Sequence, residues 1–373
     1  MRLLFMTVWD FTNSNGDGIC KKIQAQYEEF KRQGFDVDFT YIENGSTFLV
    51  DSENNQICLG KNGIFGKVMA HFFIYKRVKK GYYAAAYIRH GMGDPFFFHF
   101  LKKLKSENTK VILEIPTYPY DPECENNKLD KINLFLDKLY RNKLYPYVNR
   151  IAAITKEDFI FCIPVLHMGN GINYELIPLR NVDKSREGIH LIAVACMEYW
   201  HGYDRLLKGL GEYYNNEWDI HCYLHLVGEG RELTEYKKIV QEYHLETKVF
   251  FYGKKYGEEL NDIYDKCDIG VECLGIHRKK LELSSSLKSR EYMARGMPMI
   301  TSAKLDIFPH VSDYILKLPE GEERIQINAI INFYHQIYHG KDKLKVAQRI
   351  RDVSKKYCGI SAAVKGICEF FKG

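Results

Sequence analysis

At 373 residues the chain is too long for one typical domain and ample for two, and a 46% hydrophobic, 14% aromatic composition can fill a core in each. The formal net charge of +5 is mild, with Lys and Arg spread along the chain, so the basic balance does not argue for a nucleic-acid partner. Ten cysteines with no CxxC pair imply neither a zinc site nor a disulfide framework, residues 1–13 are too short an apolar run for a secretory signal, and no segment approaches the roughly 20 apolar residues that span a bilayer; a cytoplasmic protein, soluble or peripheral to a membrane, is expected.

In chain order, an apolar run at 3–8 precedes a helix over 19–34 with Ile19, Ile23, Tyr27 and Phe30 on one face, and a second strand at 36–42. Strand, helix, strand implies a parallel sheet. The unit repeats as a strand at 84–88, a helix over 95–106 and a strand at 111–115, followed by a long helix over 129–147 and a strand at 150–154. The polar run RNVDKSREG at 180–188 interrupts the pattern. Beyond it come a strand at 189–195, a helix over 204–214, a strand at 220–227, a helix over 231–244, a strand at 248–252, a helix over 257–267 and a strand at 268–273. A helix capped by the serines at 284–286 and ended by Gly296 leads to a buried strand at 297–302. The expected fold class is α/β, with two doubly wound Rossmann-like domains facing each other across a cleft. The expected domains are 1–179 and 180–357, with a C-terminal helix at 358–373 placed to pack back on the first.

The chemistry-bearing segments fall where strands end. In GIHRKKLELSSSLKSREYMARGMPMITS, the helix start at Ser285, Ser286 and Leu287 offers free N–H groups and a positive dipole end to a phosphate, and Lys288 adds a cation. Glu291, three residues further on, shares that face, where a carboxylate accepts both hydroxyls of a sugar ring. Phosphate and sugar together suggest a nucleotide. Gly228 and Gly230 in LVGEG let backbone approach a ligand or simply make a tight turn; Gly16 and Gly18 in NGDG occupy the equivalent place in the first domain without completing a dinucleotide fingerprint. His201 and Arg205 in WHGYDR are spaced to reach one anion, and Arg89 and His90 follow an earlier strand. Glu114, Tyr118 and Tyr120 in EIPTYPYD form a stiff aromatic loop suited to stacking on sugars, or plain turn structure. Aromatics beside lysines, at 67–80 and 96–105, suggest a surface resting on anionic lipid, or a core face with snorkelling lysines.

Together the WHGYDRLL, LVGEG and HRKKLELSSSLKSREYMARGMPMI segments, with YIRHG and EIPTYPYD, give a chain that resembles retaining glycosyltransferases of the GT-B fold, family 4 type (glycosyl transferases group 1), of bacterial polysaccharide biosynthesis. The resemblance implies an acceptor-binding first domain and a nucleotide-sugar-binding second domain. It implies catalytic contacts from Arg89, His90, His201 and Lys288, donor contacts from Gly16, Gly18, Arg205, Gly228, Gly230, Arg278, Ser285, Ser286, Leu287, Lys288 and Glu291, and acceptor contacts from Glu114, Tyr118 and Tyr120. Leu283 stands where the family carries a further glutamate, so main-chain N–H groups at 285–287 are expected to substitute. The implied reaction moves a hexose, with retention, from a UDP- or GDP-type sugar to a hydroxyl of a growing or lipid-linked glycan of capsule, O-antigen or exopolysaccharide. No metal and no cofactor beyond the donor are expected. The partners implied are the donor and the glycan or lipid-linked acceptor; the lysine-flanked aromatics add an anionic membrane surface, and the charge balance gives no nucleic acid. The alternatives are a catalytically silent GT-B scaffold of a polysaccharide assembly complex and a nucleotide-sugar 2-epimerase, which would need an acid and base pair near the sugar.

Overall fold

The computed structural model describes residues 1–12, 18–78, 81–121, 128–182, 186–216, 219–279, 281 and 283–373. The chain divides into two compact units, Met1–Gly169 with Ala363–Gly373, and Asn170–Ala362.

The first unit is built on strands β1 (Arg2–Asp10), β2 (Asp36–Glu43), β3 (Ser46–Val50), β4 (Gln56–Lys61), β5 (Ala85–Arg89), β6 (Lys110–Ile115), β7 (Arg150–Ala153), β8 (Phe159–Ile160) and β9 (Ile163–His167), in the order β4-β3-β2-β1-β5-β6-β7-β9-β8. The centre is parallel, as the strand and helix alternation requires. Its strands are buried on both faces, which is why they read as continuous apolar runs such as LLFMTV. Both edges depart from the expected pattern: β3 and β4 add antiparallel to β2, and β8 pairs antiparallel with β9. The β3 to β4 turn is held by Asp51, whose carboxylate accepts the N–H groups of Glu53 and Asn55.

Helices Gly66–Arg77, Pro95–Ser106 and Lys128–Arg141 share one face of this sheet, where Ile74, Phe97, Phe100, Leu101, Leu104 and Leu134 pack on the strands. Asp94 caps Pro95–Ser106 by accepting from the N–H groups of Phe96 and Phe97. The third helix ends at Arg141, earlier than its apolar pattern suggests, because residues up to the strand at 150 form turns. The aromatic and lysine runs resolve mostly into packing: Phe72 lies 5.1 Å from Phe96, and Lys76, Lys103 and Lys102 rest over the rings of Phe72, Tyr75 and Phe98. Lys79 and Lys80 lie outside the described residues.

The second unit carries β10 (Ile189–Val194), β11 (Cys222–Val227), β12 (Val249–Phe251), β13 (Ile269–Val271), β14 (Met299–Thr301) and β15 (Ile315–Lys317), all parallel, in the order β12-β11-β10-β13-β14-β15. The order reverses at β10, so ligand-accepting loops are those at the carboxyl ends of β10 and β13. The first residue of the polar run and residues ahead of it also pack here: Arg180 is buried, donating to the Tyr338 hydroxyl at 2.5 Å and to the Cys267 carbonyl. Ile172 pairs with the segment at 358–360, its N–H donating to the Cys358 carbonyl at 3.0 Å and its carbonyl accepting from Ile360 at 2.9 Å. The helix Ile360–Lys372 then ends in the first unit, where Phe371 meets Phe35 at 6.2 Å and Lys110 donates to the carbonyls of Phe370 and Phe371.

Candidate active site

In the second unit the expected helix start is present. Ser286 is the N-cap of Leu287–Ala294 and accepts the Ser289 N–H at 3.1 Å; the N–H groups of the first turn, beginning at Leu287, have no partner within the helix. Ser285 does a different job: its hydroxyl donates to Asp306 at 2.7 Å and accepts the Asn170 N–H at 2.7 Å, fixing the loop that precedes the helix. Lys288 reaches back to the carboxyl end of β13, donating to the Glu272 carbonyl at 2.9 Å and the Tyr203 hydroxyl at 3.3 Å. Both acceptors are neutral, and no carboxylate of the described residues pairs with this ammonium. Its charge is therefore not offset by a carboxylate of the described residues.

His201 stacks on the same Tyr203 ring at 5.4 Å between centroids. Burial, then the charges of Lys288 and Lys279, push its pKa down to about 2, so the ring is neutral at any physiological pH. Its Nδ1 accepts the Glu198 N–H at 3.1 Å, which places the single ring proton on Nε2. A neutral imidazole donor, a lysine ammonium and a helix start therefore surround one tyrosine. Glu291 accepts both Nε and a terminal nitrogen of Arg295 at 3.1 Å on the single oxygen Oε1, and remains partly exposed. Arg295 in turn lies 3.9 Å over the Tyr264 ring.

Two arginines expected at the donor are committed elsewhere. Arg278 forms a fork on Asp204, at 2.9 and 3.0 Å, and also binds Glu322, whose carboxyl it holds down at about 2. Two carboxylates already balance that charge. Arg205 is buried, its guanidinium spent on the carbonyls of Leu274, Pro319 and Glu323, and so ties down the 319–325 loop instead of meeting a phosphate. The glycines of LVGEG are explained by packing: a Cβ on Gly228, at φ 125°, would stand 1.9 Å from the Ala195 carbonyl oxygen, and one on Gly230 would stand 2.2 Å from that of Met197. Leu283 is half-buried; Glu282 beside it lies outside the described residues.

In the first unit the acceptor expectation needs correction. Glu114 is fully buried and lines no surface. It accepts from Lys22 at 2.8 Å, Arg89 at 2.7 Å and the Tyr87 hydroxyl at 2.9 Å. Burial pushes its pKa up, but Arg89 and Lys22 outweigh that and hold it at about 2. Arg89 is thus positioned by a buried carboxylate and lies 5.7 Å over the Trp9 ring. Tyr120 is also buried, donating to Asp137 at 2.6 Å. That same carboxylate, wholly buried, binds His90 Nε2 at 3.2 Å and accepts the Gly93 N–H at 2.7 Å. His90 Nδ1 is buried with no partner among the described residues. Tyr118 is half-buried, 6.2 Å from Phe161. Gly18 opens the helix Gly18–Arg32, and Gly16 lies outside the described residues.

Sequence reasoning did not single out Asp137, Tyr203 as the hub of the second-unit site, or the Lys22 partnership. Asp137 carried a signal: it sits three residues from buried Leu134, on the inward helix face, where a polar residue needs partners. Among the described residues no group of three His, Cys, Asp or Glu side chains is arranged to hold a metal ion, and no helix is long and apolar enough to cross a membrane.

Residues 180–313 match the family described as glycosyl transferases group 1. No curated protein matches the chain in sequence. Among solved structures, it superposes over its full length on a glycosyltransferase from Rickettsia africae (TM-score 0.64, 12% identity, 97% of that chain covered). Anabaena HepE in complex with UDP gives a TM-score of 0.63 at 12% identity, with both chains covered in full. The sucrose-phosphate synthase of Thermosynechococcus elongatus gives 0.66 at 15% identity, covering all of this chain and 98% of that one. The fold is GT-B. Within it, the group 1 match falls inside the second unit and spans the part that holds Tyr203, Lys288 and the Ser286 helix start.

Proposed function

We propose that the chain is a group 1 glycosyltransferase that moves a hexose from a nucleoside diphosphate sugar to a hydroxyl of a growing or lipid-linked glycan, with retention at the anomeric carbon, in bacterial capsule, O-antigen or exopolysaccharide synthesis. The observation that carries this reading is the ammonium of Lys288, bonded among the described residues to neutral oxygens, beside the Ser286-capped helix start and the Nε2–H of neutral His201. Three donors of different kinds suit a diphosphate. Glu291, held by Arg295, takes the ribose hydroxyls through its remaining lone pairs. The group 1 match of residues 180–313 and the UDP in the HepE complex support the same assignment.

In this mechanism no protein nucleophile is used. The bond from anomeric carbon to phosphate oxygen breaks as the acceptor oxygen bonds on the same face, and the leaving diphosphate takes the acceptor's proton. Lys288, His201 and the first-turn N–H groups stabilise the charge that develops on the diphosphate. No metal enters the proposal. Arg89 and His90, held by Glu114 and Asp137, are the first-unit groups assigned to the sugars.

Ligand-observed NMR against UDP, GDP, dTDP and ADP sugars tests the reading, with Lys288→Ala and Glu291→Ala beside the wild type. Binding of one nucleotide class that both variants weaken is expected. Wild-type protein that binds none of them overturns the transferase reading and favours the silent scaffold.

A further inference from the structure

In the first sheet β4 is an edge: β3 pairs with one side of it, and no strand of the described residues pairs with the other. The remaining edge strands are short, two residues in β8 and three each in β12 and β15, which leaves little main chain to pair. β4 has six residues, no proline and one charge, Lys61, at its far end. The turn ahead of it closes with the Asp51 N–H donating to the Asn55 carbonyl at 3.0 Å, so by the alternation of an antiparallel ladder Leu49 and Ile57 form the next hydrogen-bonded pair. The main-chain groups of Gln56 and Cys58 therefore face away from β3, and both residues are exposed. Leu59 is an extra residue between the Phe48 to Cys58 and Thr47 to Gly60 pairings and packs on the core of the first unit, so the regular open edge runs over 56–58.

Two outward-facing residues spaced two apart can pair with themselves. When a second copy is laid alongside antiparallel, Gln56 stands opposite Cys58 of that copy and Cys58 opposite its Gln56, with Ile57 on the two-fold axis facing its own counterpart. In this register Lys61 falls beside Glu53 of the second copy; both side chains are exposed, at opposite ends of the open edge. The pair occurs twice, and no like charges meet along the strand. An open edge that is complementary to itself in main-chain hydrogen bonds and in charge fits a copy of this chain. Ile64 and Phe65, 94% and 66% exposed, follow the strand directly and extend the contact past its end. We propose that two copies of the chain associate antiparallel through β4, which joins their first sheets into one. The assignment goes beyond the transferase reading and is independent of the donor site.

The test is sedimentation velocity of the full chain over a concentration series, where a species of twice the 43.7 kDa chain mass is expected. Cys58→Pro removes an N–H that faces away from β3, so the hairpin keeps its ladder while association should weaken at least about tenfold. Glu53→Lys and Lys61→Glu should each weaken association about tenfold, and the two together should restore it to within about threefold of wild type. Ile57→Cys in a Cys58→Ser background should form a disulfide between copies under mild oxidation, mapped to residue 57 by mass spectrometry, since residues facing each other at such a non-hydrogen-bonded position have Cα atoms about 4.5 Å apart. Should Cys58→Pro fail to fold, the charge reversals carry the test. A wild-type chain that stays monomeric throughout the series overturns the proposal, as does a dimer that neither Cys58→Pro nor the single charge reversals weaken. So does a dimer in which Ile57→Cys leaves the copies unlinked, which would place the contact elsewhere. Nucleotide-sugar binding, measured on the same samples, reports separately on the transferase reading.

Discussion

Both units gather charged side chains at the carboxyl ends of their strands, but they account for the charge in opposite ways. In the first unit the groups meet one another: Arg89 and Lys22 converge on buried Glu114, and His90 and Tyr120 on Asp137. In the second, Lys288 meets a carbonyl and a phenol and no carboxylate among the described residues, and His201 is held neutral. What prepares a site for an anion is therefore the balance around each cation more than the number of cations. Arg278 makes the point within one unit, since it lies in the same loop region as Lys288's partners yet is neutralised by Asp204 and Glu322.

The two units should differ most at the first unit's buried carboxylate. Glu114→Ala leaves Arg89 and Lys22 buried without their shared partner and should cost about 3–5 kcal/mol, read by chemical denaturation. If the loss is under about 1 kcal/mol, the cluster is not an internally compensated core. At the second unit, Lys288→Ala should weaken nucleoside diphosphate binding by about 10- to 100-fold in calorimetry, about 1.5–3 kcal/mol. Arg278→Ala should change that affinity by less than about threefold while loosening the 319–325 segment, visible as faster amide exchange. Equal losses from the two substitutions would remove the distinction between a balanced and an unbalanced cation.

Acid should separate the units as well. His225 is buried, and burial, then His190, lower its pKa to about 3; that of His190 is lowered too, chiefly by burial. An unfolded histidine takes up its proton near pH 6.5 whereas the folded His225 does not, so the unfolded state binds more protons below that pH and stability falls as pH drops from 6.5 toward 3. Glu114, held at about 2, adds a loss in the first unit only below about pH 4.5. Resolved melting of the two units should show the second weakening first on acidification. The smallest effect is at the cap: Ser286→Ala should cost about 1 kcal/mol in thermal unfolding.

The parallel centres of both sheets were legible because strands buried on two faces leave continuous apolar runs between amphipathic helices. The β3 to β4 hairpin was not, since its strands are short and half-exposed, and neither was helix Lys343–Cys358, whose buried positions include Ser354 and Cys358 among lysines and arginines. In the site, the Ser286 cap and Lys288 could be read from local spacing, as both depend on the helix they begin. The fates of Arg205, Arg278 and Glu114 could not: their partners lie as far as 118, 74 and 92 residues away, and a guanidinium looks the same in sequence whether it ends on a carbonyl, a carboxylate or a ligand.

The return of residues 363–373 to the first unit has a consequence for how the protein is made. Synthesis runs from the first residue onward, so β1 to β9 emerge long before the segment that places Phe371 against Phe35. A nascent chain halted at residue 362 would have every residue of the second unit, tied off by the Ile172 to Ile360 pairing, while the first still lacked its last piece. Of the two units, the one begun earlier on the ribosome is thus the one finished later, and chains cut short near residue 362 should be cleared by proteases that attack the first unit and spare the second.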